Sequence, residues 1–115
     1  MSDPFKQLEG EQLGAVTFVQ NYLQLHFDGP AINVYMPISV QTGGTTVRSG
    51  DIQFRNVLCG QIAKIVQSVS FQKAEALTLT FNDDSRISIS LRAEDYSGPE
   101  AIYAQGFRDA PMIVE

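Results

Sequence analysis

The sequence predicts an α+β fold: two antiparallel three-stranded β-meanders, at 13–36 and 66–91, packed with one helix over about 52–64 and with short helical turns near each end. Three observations lead there. Apolar and polar residues alternate through two stretches of the chain, the pattern of strands with one dry and one wet face. The two stretches echo each other position by position. Between them the apolar spacing changes from two residues to three and four, the spacing of a helix with one buried stripe.

The first stretch, "LGAVTFVQNYLQLHFDGPAINVYM", is apolar at Leu13, Val16, Phe18, Leu23, Leu25, Phe27, Ile32, Val34 and Met36. The second, "VQSVSFQKAEALTLTFNDDSRISISL", repeats the series at Val66, Val69, Phe71, Leu77, Leu79, Phe81, Ile87, Ile89 and Leu91. Two one-residue insertions align them, between Phe71 and Leu77 and at Asn82 to Arg86, both where turns belong and where insertions are tolerated best. The echo extends upstream, since "DPFKQLEG" (3–10) resembles "DIQFRNVLCG" (51–60). An internal duplication accounts for this; two unrelated meanders of the same period predict the same strands.

Each copy closes as a hairpin, the first through the Asp-Gly pair of "FDGPAI", the second through the longer polar turn of "FNDDSRI". Gly43-Gly44, flanked by "ISV" and "TTV", predicts a further short hairpin on a sheet edge within 37–50. From Asp51, which is placed to cap a helix, Phe54, Val57, Leu58, Ile62 and Ile65 fall on one face of three turns, with a weak point at Gly60. Asp3 before Pro4 gives a second start signal, for a short turn through Leu8. In "LRAEDYSGPEA" (91–101), Ser97 and Glu100 have the spacing of a capping box, and "EAIYAQG" reads as a short helix ending at Gly106.

A chain of 115 residues fits one domain and buries roughly 65 % of its unfolded surface without staples. With 43 % hydrophobic residues but no apolar run of membrane-spanning length and no leader pattern, it is expected in the cytoplasm and not in a membrane. One cysteine, Cys59, and one histidine, His26, offer no disulfide and no metal framework, and no cofactor is implied. A net charge of -5, with Lys and Arg scattered, argues against nucleic acid as a partner.

The chemistry-bearing residues are few. Glu94, Asp95 and Tyr96 follow the second meander without an evident structural task, and carboxylates near a helix start are favoured there by its dipole. As an acid–base pair, Glu94 and Asp95 need an apolar pocket to raise one pKa. His26 alternates with Leu25 and Phe27 and is expected to face solvent. Cys59, beside Leu58, is expected to be a buried, inert thiol. No Gly-x-Ser-x-Gly elbow surrounds any strand serine, and Gly43-Gly44 lacks the lysine of a phosphate loop. In the last stretch Phe107, Met112, Ile113 and Val114 either add an edge strand to their own sheet or cover a partner, which makes a homodimer the alternative.

The segment from "FRNVLCGQI" through "LTLTFNDDSRISISLRAEDYSGPEA" resembles a group of small bacterial proteins with a Leu-x-Leu-x-Phe strand, an acidic turn and a Gly-Pro-Glu-Ala ending. The resemblance implies bacterial origin and carries neither an activity nor site residues. The sequence thus leads first to a non-catalytic interaction protein of the immunity or adaptor type, with His26, Glu94, Asp95, Tyr96, Phe107 and Met112 as its contact residues. A small-ligand binder, with Tyr22, Tyr35 or Tyr103 orienting the ligand in an apolar pocket, is the alternative, and an enzyme using Glu94, Asp95 or His26 comes third.

Overall fold

A computed structural model describes residues 4–107 and 112–114. Two three-stranded meanders form where the alternation predicts them. The first is β1 (Ala15–Val19), β2 (Tyr22–His26) and β3 (Ala31–Val34). β4 (Ile38–Thr42) and β5 (Thr45–Arg48) follow, and then α1 (Phe54–Cys59). The second meander is β6 (Val66–Gln72), β7 (Ala76–Phe81) and β8 (Arg86–Ser90), followed by β9 (Ile102–Gln105) and β10 (Met112–Val114).

Neither meander stands alone. Each sheet has five strands, in the orders β1-β2-β3-β9-β10 and β5-β4-β8-β7-β6, and every pairing is antiparallel. The hairpin that follows each meander crosses over and completes the other meander's sheet: β4 pairs with β8, and β9 pairs with β3. Three strands per layer cover too little apolar surface, and the exchanged hairpins widen both layers over a shared core.

The echoed residues stand in matching register. Phe18 lies opposite Leu23 and Val16 opposite Leu25, while Phe71 lies opposite Leu77 and Val69 opposite Leu79. On the other side Leu23 and Leu25 face Val34 and Ile32, as Leu77 and Leu79 face Ile89 and Ile87. Upstream, Phe5 and Leu8 of the 3-10 turn Pro4–Leu8 are buried, as are Phe54 and Leu58 of α1. Residues of both sheets, of α1 and of the turn belong to one buried cluster, whose largest fully buried side chains include Phe5, Phe81 and Leu25.

Three sequence expectations are corrected. The helix expected over 52–64 is only Phe54–Cys59: it stops at Gly60, and Ala63 then takes a left-handed conformation at φ 80. Asp51 does not cap it; its carboxylate accepts the Arg48 amide at 2.8 Å and closes the turn after β5, leaving Ile52 almost fully exposed. The helix expected after the Ser97–Glu100 capping box is instead strand β9, because Ile102 and Ala104 alternate inward and find partners on β3 and β10. Asp3 lies outside the described residues.

Turn chemistry is otherwise as the residues dictate. Gly43 and Gly44 both take positive φ (56 and 81), the conformation a two-residue hairpin turn demands, and join β4 to β5 at the sheet edge. The apolar tail is taken up by its own sheet, since Met112, Ile113 and Val114 pair with Ala104, Tyr103 and Ile102.

Candidate ligand-binding cleft

The crossing from β8 to β9 leaves an opening at one end of the core. Leu91 ends the second meander, a 3-10 turn at Ala93–Asp95 follows, and the chain then runs to the other sheet. Between this crossing, the β6–β7 turn and β10 lies a cleft of about 640 Å³. Phe71, Ala74, Leu91, Ala93 and Val114 give it apolar walls, and Tyr96, packed against the core, adds a half-buried phenol. Lys73 stands at the cleft with no carboxylate partner among the described residues. A volume within the usual range for small molecules, apolar walls and a cation with no partner among the described residues are what an apolar ligand with an acidic group requires. The backbone explains the shape. Ala74 has φ 64 in the turn between β6 and β7, and small residues at 74 and 93 leave the space open.

The predicted site residues divide. Tyr96 lines the cleft. Glu94 is exposed and, among the described residues, pairs with Arg92 at 3.4 Å. Asp95 is tied down locally, accepting the Ser90 hydroxyl at 2.6 Å, and borders a second, smaller basin with Arg48, Arg92 and Ser88. His26 is on the outer face of the other sheet, its Nε2 3.2 Å from the Thr17 hydroxyl, in register with Ala15 and Ala31. The structure therefore does not gather His26, Glu94 and Asp95 into one constellation. Phe107 is buried and meets the Phe5 ring edge-on at 5.9 Å, so it is a core residue rather than a contact surface. The backbone of Met112 is in β10; its side chain lies outside the described residues. Among the tyrosines, Tyr22 and Tyr35 pack at 5.2 Å in a separate recess on the other meander, and Tyr103 is half-buried in β9. Cys59 is exposed, contrary to expectation, because a helix this short buries only Phe54 and Leu58.

Sequence reasoning missed two polar clusters. At the acidic turn, Lys64 lies 2.7 Å from Asp83 and also donates to the side chain of Gln61, while the buried Ser85 hydroxyl donates to Oε1 of Gln61 at 2.7 Å. Lys64 holds the Asp83 carboxyl well below the usual range, and the hydroxyl and amide of Ser85 add to the effect. This network staples the β7–β8 turn to the segment after α1. At the edge of β6, Val69 donates its amide to Glu9 at 3.0 Å and gives its carbonyl to Lys6 at 2.7 Å, so side chains of the N-terminal turn occupy groups an edge strand otherwise leaves open. That amide, and next the Lys6 ammonium, lower the Glu9 pKa. No signal short of the three-dimensional pairing could have joined residues so far apart in sequence.

Among the described residues no three His, Cys, Asp or Glu side chains could hold a metal ion, and no helix is long and apolar enough to cross a membrane. No family model, no curated protein and no solved structure matches the chain.

Proposed function

We propose that the chain is a non-catalytic binding protein whose cleft at Phe71, Leu91 and Tyr96 takes a small apolar ligand bearing an acidic head, with Lys73 meeting the head. The observation that supports it is the apolar cleft of about 640 Å³ beside an ammonium with no carboxylate partner among the described residues. A bacterial cytoplasm as the setting rests on sequence grounds alone.

Decanoate and decanol are the probes, read by thermal shift. Decanoate raises the melting temperature in proportion to the logarithm of its concentration. Ala93→Trp, which fills the cleft from an exposed position, abolishes the shift while leaving the unliganded midpoint in place. Lys73→Gln weakens decanoate roughly five-fold, the worth of one partly exposed charge pair, and leaves decanol unchanged. A flat response to both probes would falsify the reading.

A protein partner, of the immunity or adaptor type, is the second reading. It is favoured by the outer face of the β5-β4-β8-β7-β6 sheet, where Ser70, Thr78, Ser88 and Ser39 stand in one row across adjacent strands. Thr78→Arg should abolish recovery of such a partner from lysate while Ala93→Trp retains it. Equal recovery by both variants, or none by the wild type, counts against this face.

A further inference from the structure

The strands β1, β10, β5 and β6 end the two sheets, and three of these edges are shielded. On β6 the amide and carbonyl of Val66 pair with Glu11 and Gly10, and those of Val69 are held by Glu9 and Lys6. On β5 the Arg48 amide donates to the Asp51 carboxylate at 2.8 Å, and the Arg48 carbonyl accepts the Asp51 amide at 2.9 Å. The strand β10 is only three residues long. Charged side chains, covering segments and short length are the devices that keep an edge strand from pairing with another chain.

The five-residue strand β1 carries no charge, and its edge is open. Val19 and Tyr22 face each other across a two-residue turn as a hydrogen-bonded pair. By alternation Thr17 and Ala15 also bond to β2, while the amides and carbonyls of Val16 and Phe18 point outward. Those four groups have no hydrogen-bond partner among the described residues. The echo between the halves shows what is missing. Val16 stands opposite Leu25 as Val69 stands opposite Leu79. Lys6, the base after Phe5, reaches the Val69 carbonyl, but Arg55, the base after Phe54, lies over the Phe18 ring at 5.3 Å from its centroid. Cys59 precedes Gly60 where Glu9 precedes Gly10, so the first meander also lacks the carboxylate that takes the Val69 amide in the second.

We propose that the open edge of β1 pairs with β1 of a second copy, antiparallel about a two-fold axis at Thr17, and joins two five-stranded sheets into one. The outward groups set the axis. Val16 of each copy then faces Phe18 of the other, each such pair exchanging two hydrogen bonds, and Thr17 faces itself. The strand suits its own copy because no charged residue lies between Glu11 and His26, although the chain carries a net charge of -5, so like charges are kept off the axis. Phe18 and Val19, both exposed, gain apolar neighbours in the pairing. The shared ladder is confined to β1, since Leu13 is already paired with Ala63 and Lys64. None of these residues lines the decanoate cleft, and the pairing stands or falls separately from it.

Sedimentation equilibrium of the full chain over a range of concentrations tests it. A species of twice the 12.7 kDa chain mass forms as concentration rises. Thr17 is exposed, so Thr17→Lys and Thr17→Glu keep the far-UV circular dichroism of the wild type. Each sets like charges opposite one another on the axis and weakens the dimer roughly five-fold or more, and an equimolar mixture of the two variants restores it. Val16→Pro removes an outward amide without removing a bond to β2, and it weakens the dimer as well. Ala93→Trp leaves the association unchanged. The proposal is overturned by a monomer mass at every concentration, whether or not an extended peptide binds the edge. It is equally overturned by a dimer that survives Thr17→Lys at wild-type strength, or by a mixture of the Thr17 variants that associates no more tightly than either alone.

Discussion

Gly106 shows how tightly one position can be fixed. It has φ 79, and a Cβ there would run into the Gly29 carbonyl and the Cα of Pro30 in the β2–β3 turn. Backbone strain and a clash with backbone atoms act together, so Gly106→Ala is expected to lower stability by about 2 kcal/mol or more, read as a shift in urea midpoint. Asp83 gives a dependence on pH instead. Its folded-state pKa lies below the unfolded value because Lys64 and Ser85 bind the ionised form. The stabilisation is therefore fully present above the ordinary carboxylate pKa of about 4 and is lost as pH falls below it toward the folded value. Asp83→Asn should be the less stable protein at pH 7, and its urea midpoint should converge on the wild type's as the pH is taken toward 2. Asp83 is about half exposed, which keeps the effect modest. A constant gap between the two at every pH would mean that Asp83 acts through something other than its charge.

At the scale of elements, what the sequence made legible follows from period. Leu23, Leu25 and Phe27 and their counterparts Leu77, Leu79 and Phe81 could be placed because alternation is a property of consecutive residues, and all six are buried. The three-turn helix and the capping box failed because each was inferred from local spacing while the outcome was set by partners elsewhere. Ile102 and Ala104 have helix-tolerant neighbours, yet β3 and β10 offered them open strand edges. Ser97 therefore caps nothing and stands exposed, so Ser97→Ala should change stability by less than about 0.5 kcal/mol, where a true capping serine is worth about 1. Phe81→Ala, emptying a fully buried site, should cost about 3 to 5 kcal/mol in the same urea melts. Of the site, Tyr96 could be singled out from its sequence context, but Lys73 and Ala74 could not, because the cleft exists only where the crossing, the turn and the tail strand converge.

For the whole molecule the governing feature is the exchange of hairpins between the sheets. β4 and β5 leave the first meander to flank β8, and β9 and β10 leave the second to flank β3. A further lacing joins the halves near Leu13, whose amide donates to Lys64 and whose carbonyl accepts from Ala63. Opening either sheet therefore strips strands from the other, and both are expected to lose amide protection together in hydrogen exchange. The same exchange sets a clock. Val34 must find Ile102, and Ile38 must find Ile89, before either layer is whole, so the closing contacts lie far apart along the chain. Chains ruled by such distant pairings fold in roughly milliseconds to seconds rather than microseconds, and stopped-flow refolding should show that slower regime. Until β9 arrives, β3 presents a bare edge to other copies of the chain, so the yield of refolding should fall as protein concentration rises.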